Sequence, residues 1–157
     1  MESYSIREVL EMAVRTEMLG NSYYTELAGK FKNDKEFNEL FTRLAEAEKS
    51  HIVTFTALRE KLGHSEPEHW QEVSEYMRAY VESAFFLGKD KAMLHMRNAT
   101  EPMGALLLAM GFEKETLLFF HALRDAIVEK NIIDEVIAEE KKHILWLSKL
   151  KEHYANK

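Results

Sequence analysis

The sequence predicts an all-α protein, a four-helix bundle in which a long, partly helical crossover joins the second and third helices. Three observations support this fold class. Only two prolines and six glycines interrupt the 157 residues. Apolar residues recur at alternating steps of three and four, the period of an amphipathic helix, and no stretch shows the alternation of a half-buried strand. The length suits one domain, so we expect residues 1–157 to form a single unit.

The first two predicted helices cover about residues 3–32 and 35–62. Asp34 follows a polar turn and is a candidate N-cap for the second helix, and Gly63 stands where that helix should stop. Each helix carries one apolar stripe that is interrupted near its middle by polar residues. The stripes are Ile6, Leu10, Ala13, Glu17, Gly20, Tyr24, Leu27 and Phe31 in the first helix, and Phe37, Phe41, Leu44, Glu48, His51, Phe55, Leu58 and Leu62 in the second.

The last two predicted helices cover about residues 103–129 and 132–155, and Pro102 stands just before the third helix. Residues 63–102 connect the two helix pairs, and this connection is long enough to travel the length of a bundle. The connection also has a helical pattern of its own. The stripes are Leu106, Ala109, Glu113, Thr116, Phe120, Leu123 and Ile127 in the third helix, Ile133, Val136, Glu140, His143, Leu147, Leu150 and Tyr154 in the fourth, and Trp70, Val73, Met77, Tyr80 and Ala84 in the crossover.

The composition narrows the classes of function. A net charge of -6 and a pI near 5.7 lack the basic excess of a nucleic-acid-binding surface, so no nucleic-acid partner is expected. The absence of cysteine excludes disulfides, thiolate zinc sites, iron–sulfur clusters and a built-in rubredoxin-type iron centre. No apolar run approaches the roughly 20 residues of a membrane span, and the acidic start does not resemble a signal peptide. We therefore expect a cytoplasmic protein with no membrane partner.

A Glu-x-x-His pattern is the most informative motif. With 23 glutamates and 7 histidines, about one such match is expected by chance. The three matches are Glu48 with His51, Glu66 with His69, and Glu140 with His143. The middle match stands beside Pro67 in the crossover and outside any apolar stripe, which is typical of a chance match. The other two lie on the core-facing stripes, as do Glu17 and Glu113, and this shared register separates them from surface residues.

The polar stripe residues predict a buried metal centre. Burying ionised carboxylates without compensation costs several kcal/mol each, and four of them would compete with the roughly 5 to 15 kcal/mol net stability of a domain. Two divalent cations would balance the four negative charges, and two neutral imidazoles would add nitrogen ligands. The candidate ligands are Glu17, Glu48, His51, Glu113, Glu140 and His143. A plain bundle whose polar stripe residues pair among themselves is the competing interpretation.

The remaining polar candidates are weaker. Tyr24 lies two turns from Glu17 on the same helix face, where it either packs in the core or donates a hydrogen bond to a ligand carboxylate. Four other histidines lack a partner at metal-ligand spacing, so we expect them to be surface or packing residues. They are His64, His95, His121 and His153.

On these motifs the chain resembles the ferritin-like di-iron carboxylate proteins, and within them the rubrerythrin-like group, over essentially its whole length. The matching segments are residues 13–24 with Glu17, "EAEKSH" with Glu48 and His51, residues 109–120 with Glu113, and "EEKKH" with Glu140 and His143. The resemblance implies a non-haem di-iron centre that reduces hydrogen peroxide or dioxygen. It also implies that Glu48 and Glu140 bridge the metals and that Glu17 and Glu113 are terminal ligands. Manganese, or zinc in a recombinant sample, would suit the same ligands.

Two features depart from that group. Rubrerythrins carry a cysteine-ligated rubredoxin domain, and this chain has no cysteine, so its electrons would come from an external donor such as a rubredoxin-like protein. Rubrerythrins also place an additional glutamate one turn before the third-helix ligand, where this chain has Met110. The metal centre is therefore better supported than peroxidase activity.

Other classes of function stay open. A ferroxidase or iron-storage protein would use similar ligands, but the residues after His143 complete the fourth helix and leave none for a fifth helix of the ferritin type. The expected assembly is a homodimer, and a size measurement would distinguish a dimer from a storage cage. The third class is a metal-free helical interaction module, which elemental analysis of the purified protein would test.

Overall fold

The computed structural model describes residues 4–83 and 99–157, and every regular element in these residues is a helix. The helices are α1 (Ile6–Lys30), α2 (Lys35–Leu62), α3 (Trp70–Ser83), α4 (Pro102–Ala126) and α5 (Lys130–Ala155). The predicted all-α class is thus confirmed, and α3 lies in the predicted crossover. Ala84 and His95, which the sequence analysis singled out, lie outside the described residues.

Local signals explain where the helices begin and end. Ser5 and Glu8 form a capping box, so α1 starts at Ile6 rather than near residue 3. Asp34 caps α2 by accepting a hydrogen bond from the Phe37 backbone N–H at 3.1 Å. At the other end, Ile127 has extended backbone angles, so α4 stops at Ala126 rather than near residue 129.

Two antiparallel hairpins make up the bundle. Along α1 and α2 the contacts run in opposite directions, from the Arg59–Glu11 ion pair to the 2.7 Å hydrogen bond from Asn21 to the Ala45 carbonyl. The second hairpin, α4 with α5, repeats this arrangement and carries an ion pair between Arg124 and Asp134 near its turn. Each hairpin therefore presents two adjacent stripes to the bundle interior.

The hairpins pack so that α2 and α4 run parallel. The start of α1 and the end of α4 share one apolar cluster, through Ile6, Leu10 and Leu123. The end of α1 and the start of α4 share another, through Leu27 and Leu106, so these two helices are antiparallel. Since α1 is antiparallel to both α2 and α4, the chain must return along the bundle before α4 begins. This is the long crossover that the sequence predicts. Its helix α3 is anchored by Trp70, whose indole N–H donates to the Tyr4 carbonyl at 2.7 Å.

Two apolar clusters fill the interior on either side of the bundle's middle. The first contains Ile6, Leu10, Phe55, Leu58, Phe119, Phe120 and Leu123 among others. The second contains Tyr23, Tyr24, Leu27, Phe37, Phe41, Leu106, Phe112 and Leu147 among others. Among the helices of the described ranges, none is both long enough and apolar enough to cross a bilayer.

Candidate metal centre

The structure places all six predicted ligands between the two apolar clusters, with one or two on each of the four long helices. Their side chains point inward because they occupy stripe positions whose neighbours on the same face are apolar core residues. None is more than 2% exposed. They are Glu17 on α1, Glu48 and His51 on α2, Glu113 on α4, and Glu140 and His143 on α5.

These residues form two overlapping groups, each with ligand atoms that lie within 4.8 Å of one another. One group is Glu17, Glu48, His51 and Glu140, and the other is Glu48, Glu113, Glu140 and His143. The glutamate of each Glu-x-x-His motif therefore belongs to both groups, while each histidine and each single glutamate belongs to one.

The first group is arranged around His51 Nδ1. This nitrogen lies 2.9 Å from Glu140 Oε1, 3.4 Å from Glu17 Oε2 and 3.9 Å from Glu48 Oε2. Three carboxylates from three helices thus converge on one imidazole nitrogen, as they would around a shared cation.

The second group is arranged in the same way around His143 Nδ1. Its distances are 3.1 Å to Glu140 Oε2, 3.3 Å to Glu48 Oε1 and 3.6 Å to Glu113 Oε1. The two imidazole rings are nearly parallel, with centroids 5.9 Å apart and planes inclined by 23°. The site therefore has an approximate two-fold arrangement.

Buried atoms without a hydrogen-bond partner show that the site is built for something more than its own side chains. Some of these atoms approach one another closely, but none has hydrogen-bond geometry toward a neighbour. They include both carboxylate oxygens of Glu17 and Glu140, one oxygen each of Glu48 and Glu113, and Nδ1 of His51 and His143. Buried polar groups are normally hydrogen-bonded, and an unsatisfied one costs roughly 1 to 3 kcal/mol. A set of hard oxygen and imidazole donors facing one another fits a pair of divalent cations such as iron or manganese.

The ionisation of the cluster reflects burial and the closeness of like charges. Burial raises the pKa of Glu17 and Glu48 well above the usual carboxyl range, and it raises the pKa of Glu113 to about 8. Burial opposes protonation of His51, but the nearby carboxylates of Glu140, Glu48 and Glu139 together outweigh it and raise the His51 pKa to about 9. Without a cation the cluster must retain protons, and a divalent cation would replace them.

Comparison with known proteins identifies the family. The sequence model described as Rubrerythrin matches residues 8–101, which is more than half of the chain. The chain belongs to the rubrerythrin family.

A solved structure shows the same architecture. A protein from Thermotoga maritima, described as a ferritin-like diiron-carboxylate protein, superposes with a TM-score of 0.71 at 23% identity, and the match covers 97% of each chain. Among curated proteins, none matches the chain. The fold of this rubrerythrin-family chain is thus the ferritin-like helical bundle, and its buried carboxylate and histidine cluster suits a di-iron protein.

Tyr24, for which the sequence left core packing and a hydrogen bond to a ligand carboxylate both open, is packed in the core and also contacts the site. Its hydroxyl donates to Glu113 Oε1, and its ring is fully buried against Phe41 and Phe112. Burial raises the pKa of Tyr24 well above its ordinary value, so the hydroxyl keeps its proton. In this rubrerythrin-family chain Tyr24 therefore orients one oxygen of Glu113.

Four residues at the site were not predicted from sequence. Gly20 lets α1 approach closely, since a Cβ there would lie 3.3 Å from Glu48 Cδ. Glu139 Oε2 lies 2.7 Å from His51 Nε2. The Trp146 ring lies 5.4 Å from the His143 ring. The Arg43 guanidinium lies over the Trp146 ring, 3.8 Å from the centroid of that ring. The sequence signal for Glu139 is its place directly before the motif glutamate Glu140. Its partner, His51, lies on another helix, so the sequence alone does not reveal the contact.

The weaker candidates are found away from the centre. Glu66 and His69 are exposed and belong to neither ligand group, in agreement with a chance match. His64 and His121 are exposed as well. His153 is also exposed and contacts Glu36 at 2.8 Å.

Proposed function

We propose that this protein is a di-iron oxidoreductase that reduces hydrogen peroxide or dioxygen with electrons from an external donor. The observation that carries the proposal is the pair of four-residue groups that share Glu48 and Glu140. Such sharing is what a dinuclear centre with two bridging carboxylates requires. Membership of the rubrerythrin family supports the same chemistry.

The side chains divide the work of holding two metal ions. Glu48 and Glu140 would bridge them, and Glu17 with His51 and Glu113 with His143 would complete the two positions. The four carboxylates supply four negative charges, which two divalent cations neutralise, so the loaded site avoids the cost of uncompensated buried charge.

Bound ferrous iron would supply one electron per ion, and two electrons are what the reduction of hydrogen peroxide to water needs. The chain's own residues prepare the site for that reaction. The two apolar clusters exclude bulk water on both sides of the site. The Tyr24 hydroxyl keeps its proton and donates it in a hydrogen bond to Glu113.

The electrons for a second turnover must come from another molecule, because the chain has no cysteine to hold a relay centre of its own. A rubredoxin-like protein is the class of donor that fits, and the cytoplasm is the proposed compartment. We further propose that the chain forms a homodimer, which size-exclusion chromatography with light scattering would test. A large cage would instead favour iron storage.

Anaerobic loading with ferrous iron, followed by mixing with peroxide or dioxygen, tests the function. We expect two irons per chain, oxidation by one equivalent of peroxide, and no further peroxide consumption until a reductant is added. Rates with the two oxidants identify the preferred one, and elemental analysis distinguishes iron from manganese or zinc. A sample that binds no metal, or that consumes peroxide continuously without reductant, would contradict the proposal.

A further inference from the structure

The two proposed metal positions differ in the residues that contact their histidine rings from outside the ligand cluster. Behind His51, the Glu139 carboxylate lies 2.7 Å from Nε2, while Nδ1 faces the three ligand carboxylates. Glu139 is on α5, its side chain is half exposed, and His51 is on α2 and buried. The contact therefore ties a surface charge to the outer nitrogen of a buried ligand.

The corresponding position for His143 is chemically different. In the two motifs, the residue directly before the shared glutamate is Glu139 on α5 and Ala47 on α2. An alanine side chain cannot accept a hydrogen bond from an imidazole. The ring of His143 packs instead against Trp146, which also carries the Arg43 guanidinium. The approximate symmetry of the six ligands is thus broken just outside them.

We propose that Glu139 is a positioning residue that orients His51 and makes the two metal positions unequal, with tighter binding at the position formed by Glu17 and His51. This inference rests on the proposed dinuclear site. A carboxylate on Nε2 keeps the proton there, so that the lone pair of Nδ1 points at the metal. It also increases the basicity of the ring, which strengthens the bond from nitrogen to metal.

Among the residues that the structure describes, the carboxylate contact on the outer nitrogen of a candidate ligand histidine is the one between Glu139 and His51. Loss of a carboxylate that supports a ligating histidine typically lowers metal affinity about 10- to 100-fold. The change should fall on the position that contains His51 and leave the position that contains His143 near its original affinity.

Titration with Co²⁺ against a competing chelator tests the inference. Wild-type protein should bind two ions with two distinct dissociation constants. Glu139→Ala should weaken the tighter one about 10- to 100-fold, and alanine favours the helix, so α5 should still form. Glu139→Gln keeps an acceptor oxygen without the charge and should recover part of the loss. Glu135→Ala removes an exposed carboxylate one turn earlier on α5 and should change neither constant.

A second measurement separates positioning from a general structural effect. In Zn²⁺-loaded protein labelled with ¹⁵N, the His51 Nε2–H should exchange slowly with water, and Glu139→Ala should speed that exchange while the His143 signals stay in place. If wild-type protein binds no metal, the proposed function itself fails. If it binds two ions but Glu139→Ala leaves both constants and the His51 signal unchanged, or if the wild-type constants are equal, only the inference about Glu139 fails.

Discussion

Gly20 lies where a side chain would crowd the candidate metal centre. A Cβ at this position would lie 3.0 Å from Phe112 Cε1 and 3.3 Å from Glu48 Cγ, which is closer than these buried groups tolerate without moving. Replacing glycine by alanine inside a helix usually adds about 1 kcal/mol of stability. We expect the opposite for Gly20→Ala, a loss of roughly 1 to 3 kcal/mol from overpacking, together with weaker metal binding because Glu48 is displaced.

Gly29 supplies the matched control, since it lies in the same helix and a Cβ there would meet nothing within 4 Å. Gly29→Ala should therefore become more stable and bind metal like the wild type. Urea denaturation and metal titration of the two variants check both statements. Wild-type metal affinity in Gly20→Ala would show that the close approach of α1 is not needed.

Met110 bears on how the centre responds to oxidation. It lies one turn before Glu113 and packs, half-buried, against the second apolar cluster. A thioether is neutral and soft, so it offers a ferric ion little in exchange for an imidazole. We therefore expect His51 and His143 to remain ligands in both oxidation states. Crystal structures of the reduced and oxidised iron forms would check this, and an iron that leaves either histidine on oxidation would contradict it.

At the residue scale, the helical period of the apolar residues is enough to predict which polar side chains point into the core. Glu17, Glu48 and Glu113 point inward because each occupies a stripe position between apolar residues. Glu139 could not be found in this way. Its side chain is half exposed and off the stripe, and its contact with His51 depends on the alignment of two helices that are distant in sequence.

Asp34 secures the start of α2 and also links it to the end of α5. One carboxylate oxygen accepts from the Phe37 backbone N–H, and the other accepts from the Tyr154 hydroxyl. The bond from Tyr154 lowers the pKa of Asp34 below its usual value. A lowered folded-state pKa means that the ionised carboxylate stabilises the fold above the unfolded pKa, about 3.9, and that this contribution is lost as the pH falls through the folded pKa.

We therefore expect Asp34→Ala to lose about 1 kcal/mol of unfolding free energy at pH 7, because the cap is removed. Asp34→Asn keeps a cap acceptor without the charge, so it should lie between alanine and wild type. The gap between Asp34→Asn and wild type should shrink as the pH drops below about 4. Denaturation curves at pH 7 and pH 3 measure it, and a gap that widens in acid would show the pKa argument to be wrong.

At the element scale, local chemistry explains the ends of helices. The Asp34 cap was predicted and is present, and the Ser5 and Glu8 spacing of a capping box was available as a signal for α1. The end of α4 was harder to predict from the sequence, because Ile127 continues the apolar stripe although its backbone is extended. Buried apolar side chains can extend a stripe past the last helical turn, so period alone places such an end too late.

At the scale of the whole molecule, metal binding would act on both hairpins, because each candidate ligand group draws residues from both. A cation that binds only the folded chain stabilises it, by about 2.7 kcal/mol when its free concentration is 100 times its dissociation constant. For a chain of this size that corresponds to a rise in Tm of roughly 5 to 10 °C. We expect Co²⁺ or Zn²⁺ to produce such a rise and a chelator to reverse it.

Variants of the three Glu-x-x-His motifs make this prediction specific. Glu48→Ala and Glu140→Ala should lose the metal-dependent rise, since each removes a residue that belongs to both groups. Glu66→Ala should keep it, because Glu66 is exposed in the crossover. Thermal unfolding followed by circular dichroism, with and without metal, makes the comparison. Equal damage from Glu66→Ala would mean that stripe register does not identify the ligands.

Because the candidate ligands are divided between the two hairpins, a bound metal pair would be a reversible crosslink between the N-terminal and C-terminal parts of the chain. A covalent crosslink stabilises a protein by restricting its unfolded ensemble, whereas this one would exist only while metal is supplied. Local opening of the hairpins, and with it the rate of cleavage by proteases, should then rise as metal becomes scarce. The amount of this protein that persists in a cell would in that way record the metal available to it.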